Sequence, residues 1–433
     1  MGRRRALVSA LCLAAAWGLC SRPEAAETAQ SLTFEEIWRR IVARNPGLWA
    51  AERAVDAAED RSEQAGARPN PEIEWEAEGF GGEEERAGWS GAETTLRIAQ
   101  TIEIGGKRGA RAAVAAAERE AARADREEVR LDLWFRAVDA FVGVWGAEEH
   151  AALAEANARL LAAIHEAAGR RVAAGDVPPL DETRAKVERV LAETARNAAE
   201  REREASRRAL AALFGEPDAS LGRVEGDFEH PIDPADFALS LDGGARSPEL
   251  LRLEREREGI AAALRREKAS RFPDLTVAGG LRREEESGER SFVAGLSLPL
   301  PLFDRNSAAV RAAASDLARA ESEREAAALD LEARLAHLLA GARNAHDEAA
   351  VLREIALPAA EEALEAARIG YEHGKLGYLD LVEAERSFVD LRARLTDGLV
   401  RYHITVAEIA RAVGETSISA CSIEPAAPGD SGR

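Results

Sequence analysis

The sequence predicts a mainly α chain with a small β part, in which long helical hairpins are duplicated and each follows a pair of strands. Three observations carry that prediction. One unit of sequence is written twice. Each copy holds a proline-poor, alanine-rich stretch long enough for a rod-like helix. Ahead of each stretch the apolar period falls from 3.6 to 2. The composition fits. Hydrophobic residues make up 46% of the 433, yet aromatics only 5%. Alanine mixed with Glu and Arg marks helices lying close side by side, where a compact globule would bury larger side chains. A formal net charge of −20 argues against nucleic acid as a partner, because acidic surface repels phosphates and attracts cations.

The N-terminus reads as an export signal, residues 1–26. Arg3, Arg4 and Arg5 precede the apolar run "ALVSALCLAAAWGLC", and a small-residue exit follows. The run is short for a membrane anchor, although a retained anchor is the competing reading. Cys12 and Cys20 lie in this segment and Cys421 lies in the tail. The mature chain therefore offers no disulfide framework and no thiolate metal site. Cys20 is a candidate for lipidation, against which stands the bulky Leu19 before it.

The repeat is visible at "NPGLWAAERAVDAAEDRSEQAGARPNPEIEW" (Asn45 to Trp75) and "SPELLRLEREREGIAAALRREKASRFPDLTV" (Ser247 to Val277). Pro46 matches Pro248, Leu48 matches Leu250 and Pro71 matches Pro273. Each copy opens with a helix that starts at an N-cap residue plus Pro and stops before a second Pro. The first repeat is expected over 32–213 and the second over 245–414. The Gly-, Pro- and Asp-rich 214–244 reads as an irregular link with one short element, and 415–433 as a disordered tail.

After each short helix the pattern is that of a hairpin. Ile73, Trp75 and Ala77 alternate with Glu72, Glu74, Glu76 and Glu78. Leu96, Ile98, Ile102 and Ile104 alternate with Arg97, Ala99, Thr101 and Glu103, and Gln100 interrupts the apolar face. Leu275, Val277 and Leu281 mark a third strand. Phe292, Ala294, Leu296, Leu298 and Leu300 mark a fourth. Four strands of roughly ten residues with a dyad pattern suit an outer-membrane barrel. A soluble half-buried sheet is the alternative. Four strands cannot close a water-filled barrel, and an open edge in lipid is not viable. If the strands span lipid, several chains share one barrel, and three chains give about twelve strands. The lipid face then cannot carry the glutamates, so Glu72, Glu74, Glu76 and Glu78 are candidate lumen residues.

Each hairpin feeds a long helix. No proline occurs from Lys107 to Val177, and about 65 helical residues reach roughly 100 Å. Val114, Ala121, Phe135 and Val142 keep a seven-residue spacing, with Glu128 and Glu149 weakening the seam. The second copy runs from about Ser307 to Glu372, with Pro358 an expected kink or break. The long helices reverse at "GDVPPLDETRA" (Gly175 to Ala185) and "GKLGYLDLVEA" (Gly374 to Ala384). In both, Gly is followed by Leu and Asp at the same spacing. Gly accepts the left-handed conformation that ends a helix, and Asp181 and Asp380 favour the positive start of the next. Two similar tips therefore point the same way.

Together with the stretch "QTIEIGGKRGAR" (Gln100 to Arg111), these features resemble the outer-membrane efflux factors, the TolC-like exit ducts of Gram-negative tripartite pumps, and their heavy-metal (CzcC/CusC-type) branch. The resemblance covers about Leu32 to Gly414. It implies a homotrimer with a shared 12-stranded β-barrel in the outer membrane and a helical barrel across the periplasm. It implies a periplasmic adaptor and an inner-membrane RND pump as partners, with no cofactor. It also implies an entrance constriction at Asp380 and Glu383 and a closing tyrosine at Tyr371. Adaptor contacts fall on Arg171, Val172, Gly175, Leu180 and Asp181 in one tip and Gly374, Leu379 and Asp380 in the other. Leu376 stands where the family's best-known member has an arginine, so the resemblance does not carry that polar latch over to this chain. The bland reading of Asp380 and Glu383 is that of helix-start carboxylates.

No enzyme motif is present, and the seven histidines, read as scattered helix-surface residues, show no metal-ligand spacing. The reading is a passive efflux duct, with heavy-metal cations as the expected cargo and small organic compounds as the runner-up. The competing class is a soluble periplasmic coiled-coil scaffold.

Overall fold

The computed structural model describes residues 32–83, 88–217, 221–234 and 247–416. The expected signal segment, most of the tail and part of the link lie outside them. Two short helices stand near the start of the described residues, α1 (Phe34–Arg44) and α2 (Pro46–Ala65). Phe34, Ile37 and Ile41 recur at helical spacing and are the residues α1 buries. Asn45 joins the two helices. Its Oδ1 accepts from the N–H of Gly47 at 2.8 Å and of Leu48 at 3.3 Å, and its amide donates to the Leu213 carbonyl at 2.8 Å. One side chain thus caps α2 and fixes it to the end of the first repeat.

The second copy begins differently. Its α5 (Pro248–Ala269) follows Ser247, whose side chain makes no cap bond and is buried without a partner for Oγ. Only the first copy has the N-cap its sequence promises.

The long helices are α3 (Lys107–Ala174, 68 residues), α4 (Pro179–Ala212), α6 (Ser307–Val351), α7 (Leu357–Glu372) and α8 (Tyr378–Val413). At about 1.5 Å per residue α3 alone spans roughly 100 Å. It packs along α4, α2, α5 and α8, while α6 and α7 pack on α8. The break expected at Pro358 takes a milder form. Residues Leu352–Ala356 form a π-helical turn, and α7 continues from it with Pro358 in its first turn. Proline has no N–H to give and clashes with the carbonyl four residues back. One wide turn just before it relieves both without breaking the rod.

Two cores hold the bundle. The larger surrounds the middle of α3 and the second half of α8, where Phe34, Trp134, Phe141, Trp145 and Phe228 meet. His403 lies inside it with no exposed surface, its Nε2 within 2.9 Å of the Phe228 carbonyl. It is therefore a core residue, contrary to the expected surface histidines. The smaller core, of Ala158, Leu161, Ile164, Ala168, Tyr371, Tyr378, Leu381 and Val382 among others, joins the two hairpins near their tips.

A two-residue parallel pair, β1 (Leu32–Thr33) with β4 (Val224–Glu225), ties the start of the chain to the link. The main sheet has four antiparallel strands in the order β2-β3-β5-β6: β2 (Glu72–Glu78), β3 (Glu93–Ile102), β5 (Leu275–Glu284) and β6 (Arg290–Ser297). Among the described residues both outer strands are open edges. Ile104 falls beyond β3, and Leu298 and Leu300 fall beyond β6. Pro299 and Pro301 follow β6 in alternation with them, and proline cannot extend a ladder.

The Gln100–Arg111 stretch is the junction between sheet and rods. Gly105 and Gly106 turn the chain at φ of 72° and 79°. Lys107 pairs with Asp274 of the second repeat at 2.8 Å. Arg111 donates to the carbonyls of Ala65 at 2.8 Å and Ala67 at 2.9 Å, and forms an ion pair with Glu103. The motif is thus a clamp joining the end of α2, the end of β3 and the start of α3.

Candidate functional site

The tips come first. α3 ends at Gly175, with φ of 83°, whose N–H donates to the Val172 carbonyl at 3.0 Å. The Asp176 N–H donates to the Arg171 carbonyl at 2.9 Å. This closes α3 with the left-handed turn expected. Val172 is half-buried and Leu180 is exposed at the start of α4. Asp181 sits in the first turn of α4, 3.8 Å from Arg184.

The second tip turns at Gly374, φ 70°. Leu376 folds back over Gly370, where any Cβ would come within 2.6 Å of its Cδ1. Where an arginine would provide a polar latch, this chain seats a leucine against a glycine. Asp380 Oδ2 accepts the Gly377 N–H at 2.8 Å, so Asp380 caps α8. Asp380 and Glu383 are both exposed, as are Gly374 and Leu379. The structure thus gives Asp380 a capping duty alongside any role at a constriction.

Two expected site residues prove to be partners. The Arg171 guanidinium lies 4.8 Å from the centre of the Tyr371 ring, and Nη1 donates to the Tyr371 carbonyl at 3.1 Å. This contact links the first tip to the second hairpin, so Arg171 is not wholly free for another protein. Tyr371 is buried edge-on to Tyr378, with ring centres 6.4 Å apart. Neither hydroxyl has a hydrogen-bond partner. Burial foremost pushes the Tyr378 hydroxyl up to about 12.

The sheet carries two opposite chemistries. Register places Ile73 beside Ile98, Trp75 beside Leu96, Leu96 beside Leu281, Leu281 beside Phe292 and Val277 beside Leu296. These residues share one face and stand exposed, Ile73 to 75% and Phe292 to 91%. Gln100 lies at this register, its amide satisfied by the Pro69 and Thr101 carbonyls at 3.0 Å. The other face holds Glu72, Glu74, Glu76 and Glu78. Arg97 pairs there with Glu74 and lies 3.7 Å from Glu76, and Arg282 pairs with Glu93 at 3.0 Å. Sequence reading placed Arg97 opposite the apolar residues of its strand but paired neither arginine with the glutamates. Their alternation along β3 and β5 was the available signal.

Among the described residues no group of three or more His, Cys, Asp or Glu side chains could hold a metal ion. Among them, too, no helix is long and apolar enough to cross a membrane.

The profile of the outer membrane efflux proteins matches residues 38–216 and 244–415. This chain belongs to the outer membrane efflux protein family. It is 33% identical over 400 residues to the cobalt-zinc-cadmium resistance protein CzcC of Cupriavidus metallidurans, covering 90% of this chain and 91% of that one. It is 28% identical over 309 residues to the nickel-cobalt-cadmium resistance protein NccC of Alcaligenes xylosoxydans xylosoxydans, covering 71% and 69%. In fold it is similar to a membrane protein of Pseudomonas aeruginosa, with a TM-score of 0.75 at 20% identity over 88% and 90% of the chains. It is also similar to CusC, with a TM-score of 0.74 at 16% identity over 89% and 93%. This outer membrane efflux protein is a passive channel and not an enzyme. Its sheet belongs in the outer membrane and its rods in the periplasm.

Proposed function

We propose that this efflux protein is the exit duct of a tripartite system that exports divalent heavy-metal cations. It works as a homotrimer docked to a periplasmic adaptor and an inner-membrane RND pump. The observation that carries the trimer is the sheet, with four strands, two open edges, one apolar exposed face and one charged face. Such an edge is untenable in lipid unless another chain pairs with it. Three copies supply about twelve strands, with Glu72, Glu74, Glu76 and Glu78 turned to the water-filled lumen.

The tips form the entrance. Three copies each of Asp380 and Glu383 near one axis repel one another and gather cations. Separation of the hairpins by adaptor and pump relieves that crowding and opens the duct. The adaptor's footprint is the exposed tip surface of Val172, Gly175, Leu180, Asp181, Gly374 and Leu379, with Arg171 at its edge.

The metal cargo is supported by the cobalt, zinc, nickel and cadmium named in the relatives and by the acidic balance of the chain. Deleting the gene and measuring growth on zinc, cobalt, nickel, cadmium, copper and a drug panel tests it. Sensitivity to one or more of the metals, restored by the gene, is expected. Sensitivity to organic compounds alone replaces the metal reading with a drug duct. For the gate, Asp380→Ala with Glu383→Ala is expected to raise single-channel conductance and weaken block by multivalent cations. Unchanged conductance removes both residues from it.

A further inference from the structure

One carboxyl in the rods is buried without an ion pair of its own among the described residues. Glu385 lies two turns into α8 and is only 2% exposed. It follows Tyr378, Leu381 and Val382 on the stripe that α8 buries in the core between the hairpins. Its neighbour Arg386 turns outward and pairs with Glu188 of α4 at 2.5 Å. From α3, Asn157 faces Glu385, and its Oδ1 has no hydrogen-bond partner. α7 contributes Leu364, Ala367 and Tyr371 to the same core, the last with an unpartnered hydroxyl. Asp390, farther along α8, adds a like charge. A buried carboxylate in this setting has the Asn157 amide and the field of Arg386, whose guanidinium pairs with Glu188 instead, against apolar neighbours on α3, α4 and α7. The Asn157 amide N–H donates to the ionised carboxylate, and its unpartnered Oδ1 is left to accept the O–H of the protonated acid.

We propose that Glu385 is a proton-operated latch between the two hairpins, protonated while the tips are packed together and ionised when they part. The proposal rests on the reading that the tips are the entrance gate. It goes beyond the exposed Asp380 and Glu383 rings, because Glu385 senses the separation of the hairpins and not the cation in the pore. Burial, reinforced by Glu188 and Asp390 and opposed by Asn157 and Arg386, holds the packed carboxyl up at about 7 against an ordinary 4.5. The sign follows from linkage. The packed form binds the proton more tightly than the parted form. Below about pH 4.5 both forms are protonated and the packed state has its full advantage. As pH rises towards 7 that advantage falls by up to ~10-fold per unit in each protomer, and above about 7 it levels off. Acid therefore shuts the tips.

The test is single-channel recording of the purified trimer in planar bilayers from pH 5 to 8. It is made in an Asp380→Asn, Glu383→Gln background so that the exposed rings carry no carboxyl group. Open probability is expected to rise at least about tenfold between pH 5 and 7.5. Adding Glu385→Gln, which mimics the protonated acid, is expected to abolish the step and leave the closed behaviour at every pH. Gel mobility of the unboiled trimer reports whether that variant assembles. Independently, infrared difference spectra of the wild-type trimer should show a protonated-carboxyl band titrating near pH 7, lost in Glu385→Gln. A pH step that survives Glu385→Gln overturns the latch, as does a spectrum with no carboxyl titrating above pH 6. The two failures stay separate. If the Asp380/Glu383 background conducts like wild type, the ring gate falls while the Glu385 step is still read.

Discussion

Asn45 and Ser247 occupy the same place in the two repeats, and the structure makes only one of them a cap. The consequence is measurable. Asn45→Ala removes the bonds to Gly47 and Leu48 and the tie to Leu213 and is expected to lower stability by about 1–2 kcal/mol. Ser247→Ala breaks no bond and removes an unpartnered buried hydroxyl, so it is expected to be neutral or slightly stabilising. Denaturant midpoints of the two trimers decide it; equal losses would mean that Ser247 caps α5 after all. At this scale the sequence was legible where a residue acts locally. Gly175, Gly374, Asp181 and Asp380 sit at the helix ends that their spacing announced. It was silent where a side chain answers to a distant one. Arg171 against Tyr371 and His403 against Phe228 join residues some 200 and 175 positions apart. Glu385 lay between these cases. Counting 378, 381, 382 and 385 along α8 puts it on the apolar stripe, but "EAER" around it reads as an exposed charged turn.

The long elements were readable because their signals repeat over many residues. Sixty-eight residues of α3 contain no proline, and the strand faces alternate without slipping, so periodicity accumulates. Their ends were less clear, since Leu298 and Leu300 continue the alternation that Pro299 and Pro301 forbid a ladder to use. Pro358 shows why a breaker in sequence need not break a rod. The neighbouring α8 packs against both α6 and α7, so the chain absorbs the missing bond as a π turn over Leu352–Ala356. Pro358→Ala is accordingly expected to leave assembly intact and change stability by less than about 1 kcal/mol. A proline placed at Ala349, buried inside the regular part of α6, should cost about 3 kcal/mol or more. Thermal unfolding of the detergent-solubilised trimers separates the two. A large loss on Pro358→Ala would mean that the π turn itself is needed.

Neither hairpin explains itself until the whole molecule is considered, because among the described residues of one chain nothing covers the apolar face of the sheet or pairs with its two edges. Strand count and open edges imply copies joined edge to edge, β2 of one to β6 of the next, and that geometry yields a covalent test. Within one protomer β2 and β6 are separated by β3 and β5, three strand spacings or about 14 Å. A disulfide needs Cα atoms within about 7 Å. Cysteines placed at Ile73, Trp75 or Ala77 on β2 and at Phe292, Ala294 or Leu296 on β6 therefore cannot bridge within a chain. They can bridge only between chains. Pairing all combinations in a Cys421→Ser background, where the other two cysteines, Cys12 and Cys20, lie in the expected export signal, scans the unknown register. At least one pair is expected to give dimers and trimers on a non-reducing gel after mild oxidation of intact outer membranes. The bands should stop at three, because a closed ring offers no fourth place. A ladder extending past trimer would mean an open assembly, and no cross-link at any pair would mean that the edges are not joined. Either result would break the link between this sheet and a shared barrel.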